Sequence, residues 1–249
     1  MNPLLRSHSG WVGRSATIFA LWLLVGLATG SLRAGDPPAG SQPDKQLPPA
    51  APGAAAKAPG EKNGTKSEWT SLFDGQTLKG WKSTEFGGEG NVEVKDGAIL
   101  LGVGNDLTGV NYERPVPNGN YEVSLEAKRV DGSDFFCGLT FPVKKDPCSL
   151  IIGGWGGGVC GLSSIDGLDA SENSTTKYRE FDNGRWYTIR LRVTDARIEA
   201  WIDKVQIVNQ PLAGKKISIR SEVDASRPFG IASYRTLAAL RNIRLRELK

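Results

Sequence analysis

From Trp69 onward, apolar residues recur at every second position in short runs, and this period sets the class of fold. Tyr121, Val123, Leu125 and Ala127 alternate with Glu122, Ser124, Glu126 and Lys128, and Ile189, Leu191 and Val193 with Thr188, Arg190 and Arg192. Ile198, Ala200 and Ile202 interleave with Glu199, Trp201 and Asp203; Ile217 and Ile219 interleave with Ser218, Arg220 and Glu222. An extended chain points successive side chains to opposite faces, so each run predicts a strand with one face in a core and one in water. Asp74-Gly75, Asp96-Gly97, Asn118-Gly119, Asp131-Gly132 and Asn183-Gly184 punctuate the runs. Such pairs accept the positive φ that tight turns require. No segment carries a capped helical period. The expectation is an all-β fold, an antiparallel two-sheet sandwich of the jelly-roll kind.

One region breaks the alternation. Phe135–Phe141, Ser149–Trp155 and Gly158–Leu162 are apolar at both parities. These runs predict central strands buried on both faces, covered by loops or flooring a crevice. Hairpin turns are expected near Lys144-Lys145 and Trp155-Gly156. Cys137, Cys148 and Cys160 all fall here, and with those turns no two of them stand opposite each other. They read as small buried hydrophobes.

The N-terminal part has a different character. Arg6, His8 and Arg14 precede the uncharged stretch Ala16–Gly30, which fits the apolar region of a secretory signal and is short for a membrane span. Residues 1–34 are therefore expected to be a signal peptide. Residues 35–67, rich in Pro, Ala and Gly, form a flexible linker to the domain at 68–249. The protein is then exported, to a periplasm, a cell surface or the medium, with no transmembrane segment beyond the signal. Residues 1–67 hold seven Lys and Arg against three acids, leaving 24 of 31 cations and 24 of 27 acids in the remainder. A neutral body argues against a nucleic-acid partner. The single histidine is His8, so the domain has none. That excludes Ser–His–Asp and Cys–His nucleophilic systems and His-ligated metal sites in it.

Ser71–Trp81 reads SLFDGQTLKGW. This segment resembles the opening motif of the 3-keto-disaccharide hydrolase domain family, also described as 3-keto-glucoside lyase/hydratase. Val92–Ile99, Tyr121–Glu126, Asn183–Tyr187 and Ile198–Val205 resemble later elements of the same family in order. The resemblance implies a concanavalin A-like lectin/glucanase type of jelly roll, a carbohydrate ligand, and cleavage of 3-keto-glycosides by proton abstraction next to a ketone. Family members carry Asn-Ser-Gly on one central strand and a Tyr-Glu-x-Gln-like stretch on the next. Here those places read Phe136-Cys137-Gly138 and Ser149-Leu150-Ile151-Ile152, so no catalytic residue carries over. The alternative, of a different class, is a non-catalytic glycan-binding or protein-interaction module.

Two features mark a candidate binding site. Trp155 stands in a glycine run, GGWGGG, where a bulky ring projects and offers a face for sugar stacking. The polar loop Ser163–Glu180 supplies Asp166, Asp169 and Glu172 as hydroxyl-binding groups, with Tyr178 as a second aromatic face and Arg179 as a donor fork. Asp166, Asp169, Glu172 and Asn173 are also oxygen ligands that calcium would accept, but the loop does not follow the EF-hand pattern, and no metal or other cofactor is expected. The Glu122/Glu126, Glu199/Asp203 and Arg220/Glu222 sets read as charge ladders on wet sheet faces rather than as paired catalytic carboxylates.

Overall fold

A computed structural model describes residues 68–249. The signal segment 1–34 and the linker 35–67 expected from the sequence lie outside the described residues. In chain order the strands are β1 (Thr70–Ser71), β2 (Trp81–Ser83), β3 (Val92–Lys95), β4 (Ala98–Leu101), β5 (Leu107–Tyr112), β6 (Tyr121–Asp131), β7 (Cys137–Val143) and β8 (Asp146–Gly154). They continue with β9 (Val159–Ser163), β10 (Lys177–Tyr178), β11 (Trp186–Val193), β12 (Arg197–Ile202), β13 (Val205–Pro211), β14 (Gly230–Tyr234) and β15 (Leu237–Glu247). One sheet has the order β13-β12-β11-β6-β15-β4-β3, with β1 beside β15; the other has the order β10-β9-β8-β7-β14-β5-β2. The pairings are antiparallel, and neighbours distant in sequence alternate with hairpins, as in a jelly roll.

The turn chemistry places the hairpins. Asp96 and Gly97 both take positive φ between β3 and β4, the two-residue turn that matches strand twist. Lys144-Lys145 joins β7 to β8, and Trp155–Gly158 joins β8 to β9. Between the sheets lies one continuous core that includes Tyr121, Leu125, Phe136, Phe141, Leu150, Tyr187 and Phe229. Each fully buried large side chain contributes roughly 1.5–3 kcal/mol relative to exposure. The polar tips are served as well: Tyr121 donates to the Pro142 carbonyl at 2.7 Å, and Trp81 Nε1 to the Leu72 carbonyl at 2.8 Å.

The three thiols sit in β7, β8 and β9 with the register expected. Cys137 faces Ile152, Ile152 faces Cys160, and Cys148 faces Phe141. All are buried and unpaired. Desolvation pushes Cys137 and Cys148 up to about 12 and Cys160 to about 11.

Two expectations are corrected. Ile217–Glu222 is not a strand: Ile217 makes a single bridge to Ile165, and Ser221–Ser226 winds into a 3-10 turn. Two apolar residues are too few for the period to decide, and the Arg227 N–H closes the turn locally on the Asp224 carbonyl at 3.1 Å. Nor does Glu122 face water. Its side chain is fully buried on the outer face of the eight-stranded sheet. Arg192 and Arg246, its direct neighbours on β11 and β15, close over it. Arg192 Nε donates at 2.6 Å and Arg246 Nε at 2.7 Å, while Arg190 stands 3.7 Å away. Burial works against ionisation, but the hydrogen bonds and charges of Arg192 and Arg246 outweigh it and hold the carboxyl below its ordinary value of 4.5.

A depressed folded value means the carboxylate stabilises fully above the ordinary value and less as pH falls through the folded one. Glu122→Gln should therefore lower stability by roughly 1.5–3 kcal/mol at pH 7, the range for hydrogen bonds to charged groups. The deficit should shrink as denaturant melts are taken below pH 4.5; an equal deficit at every pH would contradict the clamp. The buried thiols should label with a thiol reagent only on the timescale of unfolding, and rapid labelling of native protein would place at least one of them at the surface.

Candidate functional site

The inward residues of β7, β8 and β9 belong to the core, so Gly138, Thr140, Ser149, Ile151, Gly161 and Ser163 point to the other side of the seven-stranded sheet. Register aligns them in two cross-strand rows. Gly230, Thr140, Ser149 and Ser163 form a polar row, and Ala232, Gly138, Ile151 and Gly161 form an apolar row of mostly small residues. With such short side chains, loops descend onto the strands. A Cβ on Gly138 would stand 2.9 Å from the Phe135 ring, so glycine is what admits that ring. Between these covering loops a groove of about 650 Å³ remains open.

Its floor is Ser149, Ile151 and Ser163. Phe135 and Tyr234, stacked at 5.9 Å with 27° between planes, form one wall, with Trp155 alongside; Phe86, between β2 and β3, and Leu107, the first residue of β5, complete the lining. The rim carries Asp106, Asp134, Glu222 and Arg220. With Arg235, which pairs with Asp106 at 2.8 Å, three carboxylates meet two guanidiniums, so the rim is mildly acidic. Thr140 and Ser149 hydrogen-bond each other at 2.8 Å. Ser163 is only 2% exposed, and its hydroxyl has no hydrogen-bond partner among the described residues. A buried hydroxyl in that state costs about 1–3 kcal/mol, which a ligand hydroxyl would recover.

Trp155 is placed by backbone rather than by packing. A bulge shifts the register between Ile152 and Gly154, and Trp155 itself takes φ +50°. Asp134 pins the loop, accepting from the Gly156 N–H at 3.0 Å and the Phe135 N–H at 2.7 Å. Arg129, buried and stacked 5.4 Å from the Phe136 ring, donates to the Gly157 carbonyl at 3.0 Å. A Cβ on Gly157 would approach the Ser133 carbonyl to 2.8 Å, so that position admits only glycine. The indole is left 43% exposed at the groove.

The residues singled out from the sequence separate. Trp155 lines the groove. Asp169 lies one contact away, bonded to Arg220 at 2.8 Å, and so fixes a rim residue. Asp166 pairs with Lys215 at 2.7 Å, away from the lining. Glu172 is exposed. Tyr178 is 77% exposed on edge strand β10 and outside the lining. Arg179 turns to the far side, 3.1 Å from Asp203 and 5.4 Å from the Tyr187 ring. Asn173 staples the loop internally, donating to the carbonyls of Leu162 and Asp169 at 2.7 Å each. Among the described residues no three of His, Cys, Asp and Glu gather as a group that would hold a metal ion. No described helix is long and apolar enough to cross a membrane.

Sequence reasoning passed over Phe135, Ser163, Tyr234 and Arg220. Arg220 and Glu222, read as a strand ladder, are 2.5 Å apart at the groove rim, where Arg220 holds Glu222 below the ordinary carboxylate range. The one available signal was the small residues spaced by two within the apolar strands.

A family model described as a 3-keto-alpha-glucoside-1,2-lyase-like domain matches residues 68–246. Among solved structures, the chain is similar to a Bacillus subtilis protein of unknown function with a galectin-like fold (11% identity, TM-score 0.50, covering 68% of this chain and 90% of that one). It is also similar to the apo form of the Crh5 transglycosylase (10%, 0.50, 73% and 84%) and to the carbohydrate-binding module CBM66 from Bacillus subtilis (10%, 0.44, 68% and 96%). At these identities the likeness is one of fold. No curated protein matches the chain.

Trp155→Ala should shift the unfolding midpoint by about 3 °C at most, since Trp155 is 43% exposed and held by its backbone. Asp134→Ala should instead accelerate amide exchange at Gly156 well above the rest of the β8–β9 hairpin. Unfolding of the Trp155 variant would assign the ring to the core.

Proposed function

The chain belongs to the 3-keto-alpha-glucoside-1,2-lyase-like family, and from that premise we propose that the groove on the seven-stranded sheet binds a carbohydrate. The observation that carries this reading is the meeting of an aromatic wall and an unpartnered buried hydroxyl over one floor. The Phe135–Tyr234 pair and Trp155 offer flat faces to the C–H side of a pyranose. Ser163 and the rim carboxylates of Glu222, Asp134 and Asp106 offer hydrogen bonds to its hydroxyls. An acidic rim favours an uncharged sugar over an acidic one. The composition of residues 1–34 and 35–67 supports an exported domain held on a flexible tether.

A second reading, cleavage of 3-keto-glycosides, is favoured by the family. It requires a base to take the proton from the carbon beside the ketone and donors to hold the enolate oxyanion that results. The electron pair then forms a carbon–carbon double bond as the anomeric C–O bond breaks, and the leaving oxygen takes a proton. The groove carboxylates are all engaged: Glu222 by Arg220, Asp106 by Arg235 at 2.8 Å, and Asp134 by two backbone N–H groups. Arg220 holds Glu222 below the ordinary carboxylate range, which weakens it as a base. Binding is therefore the reading the geometry supports best.

The test is to titrate the full chain with glucosides and their 3-keto forms, with and without a divalent cation, following heat and sugar release. Saturable binding without release supports the first reading, and turnover supports the second. Trp155→Ala should weaken binding by about 1–3 kcal/mol, tenfold to a hundredfold. Absence of both binding and turnover would overturn the assignment of the groove.

A further inference from the structure

The outer face of the eight-stranded sheet is built unlike the groove. Val123, Leu125, Ile189, Leu191, Ile198 and Ala200 point into the core, so the alternate positions of β6, β11, β12 and β15 face outward. Those positions carry seven Lys and Arg against three Glu. One row crosses four strands as Glu199, Arg192, Glu122 and Arg246; the next crosses as Trp201, Arg190, Ser124 and Arg244.

The charges are layered in depth. The side chains of Glu122, Glu199 and Glu126 are 0–27% exposed, whereas those of Arg192, Arg190 and Arg241 are 35–38% exposed. Arg246 is deeper, as its bond to Glu122 requires. Arg244 is exposed, with no ion-pair partner among the described residues. The acids hold the arginines upright and are roofed by them, so the face shows solvent an excess of guanidinium. Three tryptophans complete the pattern. Arg190 lies 3.7 Å over Trp201, Arg241 lies 4.1 Å over Trp186, and Arg244 lies 4.8 Å over Trp69.

We propose that this arginine-roofed sheet face docks an anionic polysaccharide, a chain bearing carboxylates or sulfates on uncharged rings. Guanidinium forks recognise such oxyanions two at a time, and stacking on tryptophan fixes the forks in place before binding. The domain is charge-balanced overall, so the positive excess here faces a partner opposite in sign, and it lies on the other sheet from the acidic groove. The tryptophan faces are already covered by arginine, which denies nucleic-acid bases a stacking platform. Docking here does not depend on what the groove binds.

The test is affinity electrophoresis of the full chain through gels carrying polygalacturonate, dextran sulfate or neutral dextran. Retardation is expected with either anionic polymer, not with dextran, and should fade between about 50 and 200 mM salt. Which polymer retards more identifies carboxylate or sulfate as the preferred group. Arg190→Gln with Arg244→Gln should weaken retention about tenfold, with the unfolding midpoint and any groove binding unchanged. These two arginines are chosen because neither makes a close hydrogen bond to Glu122; should the pair unfold, Arg244→Gln alone is read for a smaller loss. No retardation at low salt, equal retardation by dextran, preference for duplex DNA at equal charge, or unchanged retention of the variants would each overturn the proposal.

Discussion

Three neighbouring strands, β7, β8 and β9, have to be kept dry on both sides, and much of the molecule follows from that demand. One side is met by the opposing sheet, in the ordinary manner of a sandwich. The other side has no second sheet, so loops must cover it. They reach the strands because the outward positions are glycine, serine or threonine. Phe135 settles over Gly138, and a Cβ on Gly109 would stand 3.1 Å from the Phe86 ring. The Ala170 and Thr175 carbonyls close on Gly161 in the same way. The groove is the strip these coverings leave open, and its polar floor is what an incompletely covered apolar sheet needs where solvent or a ligand reaches it.

The two sheets carry opposite electrical characters on their outward sides. On the seven-stranded sheet, carboxylates stand at the rim and are answered singly: Asp106 by Arg235, Glu222 by Arg220. On the eight-stranded sheet the carboxylates lie beneath, shared among several guanidiniums, as Glu122 is among Arg190, Arg192 and Arg246. A sequence with equal numbers of acids and bases in the domain therefore folds into a body with a direction. Net charge, a scalar, conceals this.

The fold was legible wherever one face of a strand was wet. β6, β11 and β12 could be read from alternation alone, and the turns at Lys144-Lys145 and beside Trp155 followed from the two-sided apolar runs between them. The groove was much less legible. Trp155 announced itself because its glycine neighbours leave an indole nothing to hide behind. Phe135, Ser163, Arg220 and Tyr234 come from four separate segments, and only long-range register, Gly230 against Thr140 and Ser149 against Ser163, brings them together. No local pattern encodes that register. Glu122 shows the complementary failure: alternation gives the face on which a side chain lies, but not the length of the arginines that neighbouring strands will fold across it.

The placement of the three cysteines bears on where this domain is able to hold its shape. Ile152 stands between Cys137 and Cys160, two strand spacings or roughly 10 Å apart, and Cys148 faces a phenylalanine. A disulfide spans Cα atoms only about 4–7 Å apart. No two of these sulfurs can be joined without dismantling the register that buries them. The sandwich thus holds its shape without a disulfide, and a reductant finds no bond in it to break.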